Sequence, residues 1–165
     1  MTHPENDTPD RAAALDARVR ALAEEALADL GLFVVDVQVR GRAGDRVIEV
    51  FADSDTGVDL AALTEASRRL GFLLDAEEAV VGPYRLDVSS PGADRPLVPR
   101  QLPRHVGRTL RVSYTADAAD PGEEVTVTGV LRAVRADAIT VEHTDGTTAE
   151  IPTAALRDAR VVLPW

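Results

Sequence analysis

The chain has 165 residues, 45% of them hydrophobic, and a net charge of −10 from 18 arginines, no lysine and 28 aspartates and glutamates. This composition supports a packed core and excludes general disorder; it makes non-specific affinity for nucleic acid poor, because neutralising phosphate supplies most of that affinity. Without cysteine there is no disulfide, no thiolate nucleophile and no cysteine-based zinc or iron–sulfur site.

Residues 1–9 are polar and acidic and read as a disordered tail. Nothing in the first ten residues resembles a signal peptide, and no apolar run reaches the ~20 residues of a membrane span. The expectation is a cytoplasmic protein that makes no membrane contact. A first helix is expected from Asp10 to Leu30, with Leu15, Val19, Leu22, Ala26 and Leu30 at helical spacing, Asp10 as N-cap and Gly31 as the stop. Leu32 to Arg40 alternates as a strand, Val35, Val37 and Val39 against Asp36, Gln38 and Arg40. Residues 41–45 form a turn, and Arg46 to Ala52 returns as a second strand. Asp59 caps a second helix, Leu60 to Asp75, whose stripe is Leu60, Leu63, Ser67, Leu70 and Leu74. Tyr84 to Ser89 is the third strand. The order α-β-β-α-β predicts helices packed on one face of a small sheet.

Leu86 to Leu97 is where the style changes. Pro91 and Gly92 have the chemistry of a type II turn, with Gly92 at positive φ, and Pro96 keeps the exit extended. Beyond it come one short helical turn within residues 97–107, then closely spaced strands at residues 109–115, 124–134, 138–143 and 147–151 and a last one near 160–163. Turn signals at Asp120-Pro121-Gly122, Ala136-Asp137 and Asp145-Gly146 separate them, and Gly129 suggests a bend or bulge. The fold class expected is α+β: an N-terminal α/β domain over residues 10–92, then a linker and a small all-β SH3/Sm-like barrel over residues 93–165.

Chemistry is scarce along this chain. There is no GxGxxG after a strand, and no Walker loop is possible without lysine. His3, His105 and His143 lack ligand spacing. Ser89 and Ser90 have no GxSxG elbow, so their hydroxyls are assigned to local turn backbone. The loop from Asp53 resembles a calcium loop out of register, with Val58 and Thr64 where glycine and glutamate are needed. Glu24-Glu25 and Glu77-Glu78 read as solvated surface. Charge is informative, however. Residues 1–97 carry −9, whereas residues 85–111 form an island of +4: Arg85, Arg95, Arg100, Arg104, Arg108 and Arg111 against Asp87 and Asp94. These arginines either meet phosphate or an acidic protein face, or pair with acids of the N-terminal domain. The rest of the surface suits a basic protein partner.

The segment Leu86-Asp87-Val88-Ser89-Ser90-Pro91-Gly92-Ala93-Asp94-Arg95-Pro96-Leu97 resembles the signature of the bacterial ribosome maturation factor RimP family. Weaker matches follow in order: Phe51-Ala52-Asp53, Gly57-Val58-Asp59-Leu60, Ser67-Arg68, Leu74-Asp75, Val106-Gly107 and residues 151–162. Departures include Ala93 for leucine, Leu63 for cysteine and Asp158 for lysine, the last reversing a charge. The resemblance implies a non-enzymatic assembly factor that binds the free small (30S) ribosomal subunit, near a basic ribosomal protein and neighbouring rRNA. The expectation is a monomer that carries no cofactor or metal and binds no DNA. The candidate binding residues are Arg85, Asp94, Arg95, Arg100, Arg104, Arg108 and Arg111. Ser89, Ser90, Pro91, Gly92 and Pro96 shape the segment. The alternatives are an SH3-like module binding RNA or protein outside ribosome assembly, and a metal-dependent hydrolase using Asp53, Asp55 and Asp59.

Overall fold

In the computed structural model, which describes residues 9–92, 95–117 and 120–163, the chain divides into two units, Met1–Pro91 and Gly92–Trp165. Of the tail expected over residues 1–9, residues 1–8 lie outside the described residues, and Pro9 already belongs to the first helix.

The first unit runs α1 (Pro9–Ala28), β1 (Phe33–Arg40), β2 (Arg46–Asp53), α2 (Leu60–Ala76) and β3 (Tyr84–Ser89). α1 begins at Pro9, whose fixed φ suits a first helical residue. Asp10 therefore lies inside the first turn, near the positive end of the helix dipole, and is not the N-cap. The helix stops as the sequence predicts. Gly31 takes φ 70°, its N–H donates to Ala28 O at 3.1 Å, and Leu32 N–H donates to Leu27 O at 3.0 Å. This is a Schellman motif, which satisfies carbonyls that the helix end would otherwise leave unpaired. Asp59 caps α2, accepting from Ala62 N–H at 2.8 Å.

α2 ends on the same motif with a different residue. Ala79 N–H reaches Leu74 O at 3.0 Å, Glu78 N–H reaches Asp75 O at 3.1 Å, and Glu78 carries φ 49°. A side chain in the left-handed region costs about 1 kcal/mol. Glu78→Gly is accordingly expected to raise the stability of this unit by about 0.5–1 kcal/mol, read as an increased urea midpoint at unchanged slope.

β1 pairs antiparallel with β2, and β2 pairs parallel with β3 across the α2 crossover. Ile48, Val50 and Ala52 of β2 are fully buried beneath Val19, Ala23, Leu27, Ala66, Leu70 and Leu74 of the helices. One expectation fails in β1. The register slips between Val34 and Asp36, so Val35 is the extra residue of a bulge. Val34, Val37 and Val39 pack on the core, and Val35 does not join them. A second departure is in α2: Leu60, expected on the buried stripe, is 78% exposed.

The second unit is mostly β. A 3₁₀ helix, Pro99–His105, seats Leu102 in the core; then come β4 (Thr109–Asp117), β5 (Asp120–Val134), β6 (Ala138–Glu142), β7 (Thr148–Pro152) and β8 (Leu156–Val161). They form one antiparallel sheet in the order β7-β6-β5-β4-β8, and among the described residues no ladder joins β7 to β8. Its core is Leu102, Leu110, Val112, Leu131, Ile139, Val141, Ile151 and Ala159. Thus the fold class is α+β, with an open second sheet.

Four local readings are corrected here. Gly92 is not at positive φ, so the type II turn on Pro91-Gly92 does not form; its carbonyl oxygen accepts from Arg95 N–H at 3.2 Å. Asp120-Pro121-Gly122 lies within β5, because Asp117 pairs with Asp120 and the β4–β5 connection falls ahead of the proline. The final strand starts at Leu156, earlier than residue 160. The bulge in β5 falls between Leu131 and Ala133, whereas Gly129 marks a close approach: a Cβ there would overlap the Glu142 carbonyl oxygen.

Candidate functional site

Arginine is the only side-chain cation of this chain at neutral pH apart from any protonated histidine, so a site for anions depends on which guanidiniums its carboxylates leave unneutralised. In the first unit most are claimed. Arg18 meets Glu77 at 3.3 Å, Arg20 meets Asp36 at 3.5 Å, and Arg40 pairs with Glu49. Arg68 and Arg69 converge on Glu65 at 2.9 and 3.2 Å, and these hydrogen bonds hold the Glu65 carboxyl below its usual range. In the second unit Arg132 meets Glu142 at 2.9 Å, Arg135 meets Glu150 at 2.9 Å, and Arg160 meets Asp158 at 3.0 Å. The charge reversal at Asp158 is thereby offset within its own strand.

The six arginines of the basic island divide into two groups. Arg95, Arg100 and Arg104 each interact within the chain. Arg85, Arg108 and Arg111 are exposed, and among the described residues they take part in no ion pair. Arg85 belongs to β3 in the first unit. Arg100 and Arg104 sit on the 3₁₀ helix, and Arg108 and Arg111 at the start of the sheet in the second. Arg111 lies opposite Thr128 on one side and Arg160 on the other, so two guanidiniums share adjacent strands. Like charges facing each other across strands destabilise a sheet slightly and suit a surface that receives an anion. Asp94 lies outside the described residues. Ser89 ends β3 opposite Phe51, and Ser90, Pro91 and Gly92 follow it without regular structure; Pro96 stands exposed just before Leu97, whose N–H donates to Ala159 O at 2.7 Å.

Sequence reading missed two other features. Arg11, Arg18 and Arg46 line a hollow of about 260 Å³ with Leu15 and Val81. Arg46 is buried there and donates to Gly41 O. A second hollow of about 340 Å³ lies between α2 and β3, lined by Leu60, Leu63, Ser67, Leu86 and Val88 with Thr64, Arg68 and Asp87. The signal for it was the single stripe of α2, which contains more apolar residues than three strands can cover. Among the described residues no group of three histidine, aspartate or glutamate side chains could hold a metal ion, and no helix is long and apolar enough to cross a membrane.

The start of β3 is tied to the end of α2 by Tyr84. Its ring packs on the core and its hydroxyl donates to Asp75 Oδ1 at 2.8 Å. Burial first, and then the Asp75 hydrogen bond and charge, push the phenol up to about 12. In the unfolded chain it titrates near 10. The neutral phenol therefore contributes stability that is fully present below pH ~10 and is lost as pH rises to ~12. With no lysine or cysteine in the chain, tyrosine is the side chain that titrates in this window. The urea midpoint of the first unit is expected to fall over this range, and Tyr84→Phe to flatten that fall while lowering the midpoint at pH 7.

Residues 22–94 match the family described as RimP N-terminal domain. A Ribosome maturation factor RimP of Frankia casuarinae is 48% identical over 101 residues, which cover 57% of this chain and 37% of that protein. A Ribosome maturation factor RimP of Chlorobium chlorochromatii is 37% identical over 111 residues, covering 66% of this chain and 60% of that protein. The aligned stretch thus spans less than two thirds of each relative's length.

Proposed function

We propose that the chain is a ribosome maturation factor of the RimP family that binds the free small (30S) subunit and assists its assembly without catalysis. The observation that carries this reading is the match of residues 22–94 to the RimP N-terminal domain. Its two domains are taken as residues 10–92 and 93–165. The second is read as an SH3/Sm-like barrel, because five antiparallel strands in the order β7-β6-β5-β4-β8 wrap one core under a 3₁₀ helix.

The charge distribution supports a division of labour. Residues 9–91 hold 16 carboxylates against 9 arginines, a surface suited to a basic ribosomal protein. Arg108 and Arg111 of the second unit, exposed and outside any ion pair among the described residues, would meet rRNA phosphates, with Arg85 and the engaged Arg95, Arg100 and Arg104 as further candidates. Binding would favour one conformer of the immature subunit through differential affinity alone, so no cofactor or metal is called for. The protein acts as a cytoplasmic monomer, away from DNA and membranes.

The test is sedimentation of cell extract across a salt series. Co-migration with free small subunits at low salt, with affinity falling as salt rises, is expected. A free pool at every salt concentration would overturn the assembly reading in favour of an SH3-like module acting elsewhere. Co-migration unaffected by salt would overturn its electrostatic part.

A further inference from the structure

The helical layer of the first unit is wider than its sheet. Two helices packed side by side, with axes about 8–10 Å apart and each about 10 Å thick, make a layer roughly 18–20 Å across. Three strands at ~4.8 Å spacing cover about 14 Å. The difference is close to one strand, and the overhang falls at a defined place. β3 is an edge strand, paired only with β2 among the described residues. Beside it α2 presents Leu60 and Leu63 with Ser67, bordered by Leu86 and Val88 of β3. Leu60 is 78% exposed although it begins the apolar stripe of its helix.

A strand added to β3 would pair with the outward N–H and C=O groups of Tyr84–Ser89. On alternate positions it would also lay side chains over Leu60, Leu63 and Ser67. Main-chain pairing with an edge strand and pockets for every second side chain together define strand addition.

Charge selects the occupant. Asp59 caps the Leu60 end of the groove, Asp75 stands at the Tyr84 end, and Asp87 lines it. Arg68 lines the groove too but is held on Glu65 by contacts of 2.9–3.2 Å, which leaves Arg85 of β3 as one cation against the three carboxylates of Asp59, Asp75 and Asp87. A second copy would bring another domain with the same excess of carboxylates to the edge, and RNA would bring phosphate, so both are disfavoured. We propose that the β3 edge and the α2 groove form a docking site for an extended segment of another protein that alternates small apolar residues with arginine or lysine. The site goes beyond subunit binding, and its test needs no ribosomal particle.

The probe is a capped octapeptide alternating valine and arginine, titrated into the full chain labelled with ¹⁵N. Saturable shifts at residues 84–89, 60, 63 and 67 are expected, with slower amide exchange in β3. The valine–glutamate counterpart should give none. Leu60→Ser, at an exposed position, and Ser67→Trp, which fills the groove, should each weaken binding at least tenfold. Several results would overturn the proposal: no shift at millimolar peptide, shifts centred on another surface, or equal affinity in both variants. A dimer that Leu60→Ser dissociates would assign the groove to a second copy. Shifts at these residues with oligouridylate and none with the peptide would assign it to RNA.

Discussion

Gly129→Ala is expected to destabilise the second unit by about 3 kcal/mol, the upper end for a forced overpacking. The reason is local and geometric. Gly129 lies opposite Leu110 in the β4–β5 pair, while its other side faces the β5–β6 crossing. A methyl group at this position would overlap the Glu142 carbonyl oxygen and stand 2.8 Å from Val141 Cγ1. Val141 is fully buried, and Glu142 is held by its pairing with Val130 and Thr148, so neither side yields cheaply. A unit of this size has roughly 4–11 kcal/mol in total. Hydrogen exchange should therefore show β4–β6 amides losing protection by two orders of magnitude or more, with β1–β3 unchanged. Thr128→Ala, at the exposed neighbouring position, is the control. A loss below ~0.5 kcal/mol would mean that β6 can shift away, and the bulge between Leu131 and Ala133 would be the hinge that allows it.

What the sequence disclosed about this fold was mainly its periodicity. The α1 stripe, the Gly31 stop, the Asp59 cap and the alternation of β2 are local properties, and local chemistry decides them; the second Schellman motif, on Glu78, carries no glycine to announce it. The failures share a different cause. Val35 leaves the core because pairing with β2 inserts a bulge, and alternation within β1 alone cannot reveal a choice made by its partner. Asp120-Pro121-Gly122 has the composition of a turn, yet register with β4 draws it into β5. Leu60 fits a helical stripe perfectly well; its exposure depends on how many strands lie under that stripe. The candidate site behaves the same way. A window over residues 85–111 counts charge correctly, but it cannot see that Arg132 and Arg135 are neutralised by Glu142 and Glu150 across strands, or that Arg85 belongs to a different unit from Arg108 and Arg111.

That distinction among arginines yields the larger functional prediction. Replacing Arg108 and Arg111 together by glutamine should weaken the proposed binding to free small subunits about tenfold or more at 0.1 M salt, and lower the slope of log affinity against log salt by about 1–2. Both guanidiniums are exposed and outside any ion pair among the described residues, so a phosphate oxygen would meet a charge that no carboxylate already offsets. Arg132 and Arg135 provide the comparison: each would have to leave a carboxylate 2.9 Å away, and their replacement by glutamine should change affinity less than threefold. Asp158 supplies the opposite sign. It accepts from Arg160 at 3.0 Å and lies on the strand beside Arg111. Asp158→Lys would remove the carboxylate that pairs with Arg160 and put a cation in its place on the strand beside Arg111. It should therefore tighten binding and steepen its salt dependence by about one unit. Equal effects from the paired and unpaired arginines, or weaker binding by Asp158→Lys in a folded protein, would move the phosphate-facing surface away from the β4–β8 side of the sheet.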